Sequence, residues 1–293
     1  MNPAPGGRYA EGLAPKTPEQ APPPIKTSVV VVSHNRAALL RKCLEALERA
    51  EERDTIQVLV VENGSTDGSA QMESEFPKVR FVRLPRNFGL TKALNIGVRA
   101  SAGDYVLLLH DDTEVAADAV RLLAAALDAS PEAYAVCPLL VTPSGAPAPQ
   151  LSSLPAGGAW RPAETAPAAY AVEYAAGAAL MLRAFFLKAL RQIDERYGQF
   201  GSDAELAWQL NRSGKKTLLI AAARVLHHGR SGRDSPVRRA DWAIGRAAYR
   251  GKYHGLAAGL MARAGAALSA LAGLRLGELK HLLAGQRIDG SQR

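Results

Sequence analysis

Uninterrupted apolar runs alternate along this chain with segments whose apolar residues recur every three to four positions. The run SVVVVS at 28–33 comes first, followed by 37–53, where Leu39, Leu40, Cys43, Leu44 and Leu47 keep helical spacing. A second run, IQVLVV at 56–61, leads into the polar stretch ENGSTDG at 62–68 and a further helical segment at 69–76. The pattern then repeats as strand 79–84, helix 90–100, strand 104–109, helix 116–129, stopped by Ser130-Pro131, and strand 135–141. Runs apolar on both faces suit strands buried from both sides, and strands spaced by helices make parallel βαβ units. Right-handed crossovers place those helices on both faces of the sheet. The pattern therefore predicts an α/β fold with a mostly parallel central sheet.

After residue 141 the pattern breaks. Residues 142–172 carry Pro143, Pro147, Pro149, Pro155, Pro162 and Pro167 among many Ala and Gly, which predicts a long loop without regular structure. Structure is expected to resume near Val172, with a helix at 203–212 and a strand at 218–226. From 241 to 284 two or three helices are expected, broken at Gly251, Gly255 and Gly277. Residues 1–26, rich in Pro, Ala and Gly, read as a disordered tail without the basic start and apolar run of a secretory signal. The expected division is a tail at 1–26, a main domain at 27–235 and a basic amphipathic helical extension at 236–293.

Composition narrows the class. A chain of 293 residues with 47% hydrophobic and 22% charged residues has ordinary globular usage, which excludes whole-chain disorder. No stretch of 18 uncharged apolar residues occurs, so no membrane-spanning helix is expected. Cys43 and Cys137 are too few for a disulfide scaffold or a cysteine zinc site, and read as reduced, buried thiols of a cytoplasmic protein. The net charge of +8 is local: residues 224–293 hold 13 Lys or Arg against four acids, or +9, leaving −1 for the rest. An anionic partner for the C-terminal quarter follows.

Three polar clusters fall where strands end: Ser33-His34-Asn35-Arg36, residues 62–68, and His110-Asp111-Asp112. In open α/β sheets ligands bind beyond the carboxyl ends of the strands. Adjacent carboxylates such as Asp111 and Asp112 repel unless a cation, a proton or a hydrogen-bond donor intervenes. A divalent ion shared with phosphate oxygens meets that need, and so does a helix N-cap. Residues 62–68 read equally as a turn. Further on, Ser202-Asp203-Ala204-Glu205 is either a helix cap or the place of a functional carboxylate.

Taken in order, SHNR, ENGSTDGS, LPRNFGLTKALNIGVRASAGDYVLLLHDDTEV and DERYGQFGSDAELAWQL resemble the family 2 glycosyltransferases of GT-A fold, of the bacterial polysaccharide and rhamnosyltransferase kind, over about 28–231. The resemblance implies a Rossmann-like sheet and inverting transfer of a hexose or deoxyhexose from a nucleoside diphosphate to an acceptor hydroxyl, in polysaccharide or glycolipid synthesis. By position it places Ser33, Asn35, Glu62, Asn87, Lys92 and Asp111 with the nucleotide-sugar, and Asp112 and His227 with a divalent metal, Mn or Mg. Asp203 is the implied catalytic base, since an inverting displacement needs a proton taken from the acceptor. Glu62 stands where the family usually has Asp, His110 where some members have the first acid of an Asp-x-Asp motif, and Ser202 where an acid is common. Imidazole suits Mn better than Mg. His228 competes with His227 for the metal, and Arg230 and Arg233 are candidates to neutralise diphosphate. The 142–176 segment is expected to order over donor or acceptor, with Trp160 and Tyr170 stacking on a sugar ring.

Two other readings stand beside this one: a nucleotidyltransferase, although no Gly-rich loop with Arg and Lys follows the first strand, and a non-catalytic sugar-nucleotide binder. For the C-terminal quarter, Arg238, Arg239, Arg246, Arg250 and Lys252 interleave with Trp242, Tyr249 and Tyr253 ahead of a largely apolar 256–283. That arrangement fits helices lying on an anionic membrane surface, at the inner face and close to a glycan or lipid-linked acceptor. It also fits a homo-oligomer. No nucleic-acid recognition motif is present.

Overall fold

The computed structural model describes residues 23–154, 159–198, 201–229 and 235–288. Its elements run β1 (Thr27–Ser33), α1 (Ala37–Glu48), β2 (Ile56–Glu62), β3 (Val79–Arg83), α2 (Leu90–Ala100), β4 (Tyr105–His110), β5 (Thr113–Val115) and α3 (Ala119–Ala129). They continue with β6 (Ala133–Val141), β7 (Pro149–Ser152), β8 (Arg161–Pro162), β9 (Ala169–Val172), β10 (Tyr174–Ala175), β11 (Ala179–Arg183) and α4 (Ala184–Ala189). The chain closes with α5 (Ser202–Arg212), β12 (Lys216–His227), α6 (Pro236–His254), α7 (Leu256–Ala272) and α8 (Leu276–Ala284).

Nine strands form one sheet in the order β3-β2-β1-β4-β11-β6-β12-β5, with β9 added beside β12. Strands β1 to β4, β6 and β12 point the same way, whereas β5, β9 and β11 run against them. The alternation of side chains, with both faces covered, explains why the strand centres are apolar throughout. On β1, Val29 and Val31 pack with Leu40 and Leu44 of α1 and Leu123 of α3, while Val30 and Val32 pack with Ala93 and Leu94 of α2 and Leu206 of α5. Cys43 and Cys137 are buried free thiols, and burial alone pushes the Cys137 thiol up to about 12.

Register brings the chemistry to one edge. Ser33 pairs with Glu62 across β1 and β2, and Val32 pairs with His110 across β1 and β4. At the far side of the sheet His227 pairs with Thr113.

Four expectations need correction. The proline-rich 142–172 stretch is not without regular structure: β9 pairs with β12, and β7 pairs with β8 and β10 in a small second sheet. Pro149 starts β7 and Pro162 ends β8, where a missing N–H costs little of the ladder. The strand β11 runs antiparallel between β4 and β6, where no strand was expected. The segment at 69–76 is a 3-10 turn over Gly68–Ser74, held at its start by Asp67, which accepts from the Ser69 N–H. Finally, α6 runs unbroken through Gly251. That glycine lies against α7: a Cβ added at Gly259 would stand 2.8 Å from the Gly251 Cα, so the pair permits a close helix crossing. The break comes at Gly255, as expected, while Gly277 lies inside α8. Residues 1–22, Arg230 and Arg233, for which a tail and diphosphate contacts were expected, lie outside the described residues.

The C-terminal helices are joined to the sheet through α6. Tyr249 packs with Tyr174, Tyr197, Ala204 and Ala207, and Ala240, Ala243 and Ile244 pack with Ala270 of α7 and Leu282 of α8. Buried Glu205 accepts from the Tyr197 and Tyr253 hydroxyls, the Gln209 amide and the Lys252 ammonium.

Candidate active site

Asp111 and Asp112 end the turn after β4, both buried. The donor that relieves their repulsion is Arg36, whose Nη1 lies 3.1 Å from Asp111 Oδ1 and 3.3 Å from Asp112 Oδ2. Ser33 Oγ donates to Asp111 Oδ2 at 2.8 Å. Burial raises the Asp111 carboxyl above its usual range, with Arg36 and Ser33 opposing. Burial also acts to raise Asp112, but His227, His110 and Arg36 outweigh it and bring that carboxyl down to about 2.

Asp112 Oδ1 is buried and receives no hydrogen bond. Two imidazole nitrogens lie beside it, His227 Nε2 at 3.4 Å and His110 Nδ1 at 3.8 Å. One ligand atom from each of His110, Asp112 and His227 falls within 4.8 Å of the others. An orphaned buried carboxylate oxygen facing two imidazoles is a donor set that fits a divalent cation. His228 takes no part: its Nε2 lies 2.7 Å from Glu114 Oε1, and its N–H donates to the Asp112 carbonyl. Successive side chains at the end of β12 point to opposite faces, which separates the two histidines.

Asp203 lies in the first turn of α5. The N-cap is Gly201, at φ 98°, with no side-chain cap, so neither Ser202 nor Asp203 serves as one. Asp203 Oδ2 accepts from the Gly177 N–H at 3.2 Å and Oδ1 from the Ala204 N–H at 2.8 Å. A cavity of about 200 Å³ is lined by Asp203 and His110 together with Trp160, Tyr174 and Trp242. Tyr174 is buried and packs against Trp160 with ring centroids 5.0 Å apart.

The other expected site residues divide into a frame and an outlier. Glu62 Oε1 accepts from the Ser65 N–H at 2.6 Å, and Asn35 Oδ1 accepts from the Thr66 N–H at 2.7 Å. Asn87 Oδ1 accepts from the Asn63 amide and the Gly89 N–H. These bonds tie the loops after β1, β2 and β3 together around the edge. Lys92 faces a separate depression, beside Arg196 and Arg287. Tyr170 stands on β9 and packs on the sheet, with its hydroxyl at the Glu164 backbone, so of the two aromatics expected at the sugar only Trp160 reaches the cavity.

Sequence reasoning gave no role to Arg36, although the problem it solves, two adjacent acids, was visible. Tyr174 carried no signal and Trp242 was read only with the C-terminal arginines, since their neighbours in the cavity lie far away in sequence.

Residues 28–189 match the glycosyl transferase family 2 model, and the chain belongs to that family. It is similar to the N-acetylglucosaminyl-diphospho-decaprenol L-rhamnosyltransferase of Mycobacterium tuberculosis, at 29% identity over 231 residues, 68% of this chain and 75% of that protein. An N-acetylglucosaminyltransferase of Sinorhizobium fredii is 32% identical over 38% of this chain and 28% of its own length. Among solved structures, GalNAc-T7 with UDP, GalNAc and Mn2+ superposes with a TM-score of 0.61 at 17% identity, over 78% of this chain and 50% of that one. The S. aureus TarS 1-349 complex with UDP-GlcNAc gives 0.54 at 15%, over 78% and 73%. The fold is that of the GT-A glycosyltransferases, and the protein is a glycosyltransferase, in place of the nucleotidyltransferase and non-catalytic readings.

Proposed function

We propose that this glycosyltransferase is inverting and metal-dependent, and moves a sugar from a nucleoside diphosphate to a hydroxyl of a lipid-linked glycan during cell-surface polysaccharide assembly. The observation that carries the reading is the single cavity onto which both Asp203 and His110 open. Asp203 takes the proton of the acceptor hydroxyl as its oxygen attacks the anomeric carbon. The bond from that carbon to the diphosphate breaks, and the configuration inverts. The Gly177 and Ala204 N–H groups hold the carboxylate in place. His110, Asp112 and His227 would hold a divalent ion, Mn better suited than Mg, whose charge would offset that of the departing diphosphate. Ser33, Asn35, Glu62, Asn87 and Asp111 frame the nucleotide's place; Lys92, in its own depression, is not needed for this arrangement.

The acceptor class is supported by the mycobacterial relative, whose name specifies a diphospho-decaprenol substrate. No helix among the described residues is long and apolar enough to cross a membrane. Among the described residues, eight of the ten exposed large apolar side chains lie between Leu256 and Leu283, which supports peripheral attachment to an anionic bilayer at the cytoplasmic face. Vesicle sedimentation tests this: loss of pelleting on truncation after Asp234 supports attachment, whereas equal recovery in the supernatant with anionic and neutral lipid leaves self-association as the use of that face. For the chemistry, Asp203→Asn is expected to keep donor binding and lose transfer by about 10²–10⁴-fold. A loss below about tenfold would remove Asp203 as the base.

A further inference from the structure

The largest cavity among those described lies outside the site above, between α6, α7 and the start of α8. It measures about 620 Å³. Its walls are Met261, Ala262 and Ala266 of α7 with Ala243 of α6, and its charged groups among the described residues are Arg239, Arg246, Arg250 and Arg275 with Glu278, a formal balance of +3. Glu278 bridges Arg239 and Arg275, at 2.9 and 3.4 Å, and Arg246 and Arg250 line the same groove on α6. The Arg246 guanidinium lies 5.5 Å from the Trp242 ring centroid. Trp242 lines both this groove and the Asp203 cavity, so the two adjoin at this side chain. The outer side of α7 carries Leu260 and Leu268, both more than half exposed.

An apolar trough with a cationic rim, beside a catalytic carboxylate and against an exposed apolar helix, matches one kind of molecule: a long apolar chain ending in a diphosphate that bears a sugar. We propose that this groove seats the diphosphate and first isoprene units of a polyprenyl-diphosphate acceptor. Arg246 and Arg250 hold the phosphates, the α7 wall holds the chain as it leaves the bilayer, and the sugar passes Trp242 to reach Asp203. Guanidinium pairs with phosphate through parallel charge-assisted hydrogen bonds, while the small residues of α7 leave width for a methyl-branched chain. The inference rests on the lipid-linked acceptor reading and adds to it a place and a set of residues.

The test is calorimetry on the full chain with farnesyl diphosphate as the probe, and with farnesol and inorganic diphosphate as controls. Farnesyl diphosphate is expected to bind at least about tenfold more tightly than either control, since each supplies half of the recognition. Arg250→Ala is expected to weaken it by about tenfold. Gly265→Phe is expected to block it: a side chain at Gly265 meets no atom within 4 Å, so the new ring fills open groove without disturbing the helix. Asp203→Asn is expected to bind the probe like the wild type. Equal binding by wild type and Gly265→Phe, or inorganic diphosphate binding as tightly as the farnesyl compound, overturns the proposal. Binding of UDP or dTDP with Mn2+ is measured on the same protein. If that persists while farnesyl diphosphate fails to bind, the groove is wrong and the transferase reading stands; if both are absent, the donor site itself is contradicted.

Discussion

The edge formed by β1, β4 and β12 and the three C-terminal helices both carry many charged residues, but they use them differently. At the edge, charge is concentrated and partly uncompensated: Asp112 keeps one buried oxygen without a hydrogen bond, facing two imidazoles. In the helices, much of the charge closes on itself. Lys252 reaches Glu205 and Asp194, Arg239 and Arg275 meet Glu278, and Arg287 meets the wholly buried Asp241. Part of the basic excess of the C-terminal quarter is therefore mortar between helices and sheet, while Arg239, Arg246, Arg250 and Arg275 are arranged about the α6–α7 groove. Net charge by itself does not separate a binding surface from a docked one; the location of the countercharges does.

Changes at the edge should be the most damaging. Arg36→Ala leaves Asp111 and Asp112 facing each other without their shared cation, and loss of one partner of a buried pair costs about 3–5 kcal/mol. Because Arg36 retains some exposure, the lower end is expected in urea denaturation. Added Mn2+ should recover more stability in this variant than in the wild type. Equal gains would mean that the two acids do not face a cation site.

The histidine pair sharpens the same point. His227→Ala is expected to weaken Mn2+ binding by about 10–100-fold, whereas His228→Ala, which loses only its contact to Glu114, should leave that affinity within about threefold. Equal losses in the two variants would contradict the alternation at the end of β12.

Against these, Glu205→Gln should loosen α6 and cost about 1–3 kcal/mol, since three or more donors lose a charged acceptor. The pH dependence follows. Burial acts to raise the carboxyls of both Glu205 and Asp194, but the hydrogen bonds from Lys252, the tyrosines and Arg196 outweigh it and hold both below their usual range. Such groups stabilise the fold above the ordinary carboxylate pKa, near 4, and that contribution is lost as pH falls through their lowered folded values. The melting temperature should fall as pH drops from about 5 toward 3, and less steeply in Glu205→Gln. Identical slopes would show that this network does not anchor the tail.

Much of the sheet was legible because its cause is local. The runs at 28–33, 56–61 and 104–109 are apolar through their centres, 29–32, 58–61 and 106–109, since both faces are covered, and they correspond to β1, β2 and β4. Helix α2 spans the expected 90–100 because its buried residues repeat at helical spacing. What stayed hidden depends on distant partners. β11 is five residues long, and its register is set by Leu109, seventy positions upstream of Ala179. The strands between 149 and 175 each gain their ladder from another segment, which overrides proline-rich local preference. Gly251 read as a helix break because its reason for being there, the approach of Gly259, lies in another helix. At the site, Asp112, His227 and Asp203 were named through resemblance, while His110, whose ring the fold brings to within 4.8 Å of the Asp112 and His227 ligand atoms, stood undecided.

The central claim is that the edge divides its labour, with Asp112 at the centre of a cation site and Asp203 serving the acceptor. Titration of Mn2+ into the wild type, Asp112→Asn and Asp203→Asn by calorimetry tests it directly. The account predicts affinity at least about tenfold lower for Asp112→Asn and unchanged for Asp203→Asn. Equal affinity in the wild type and Asp112→Asn would contradict it.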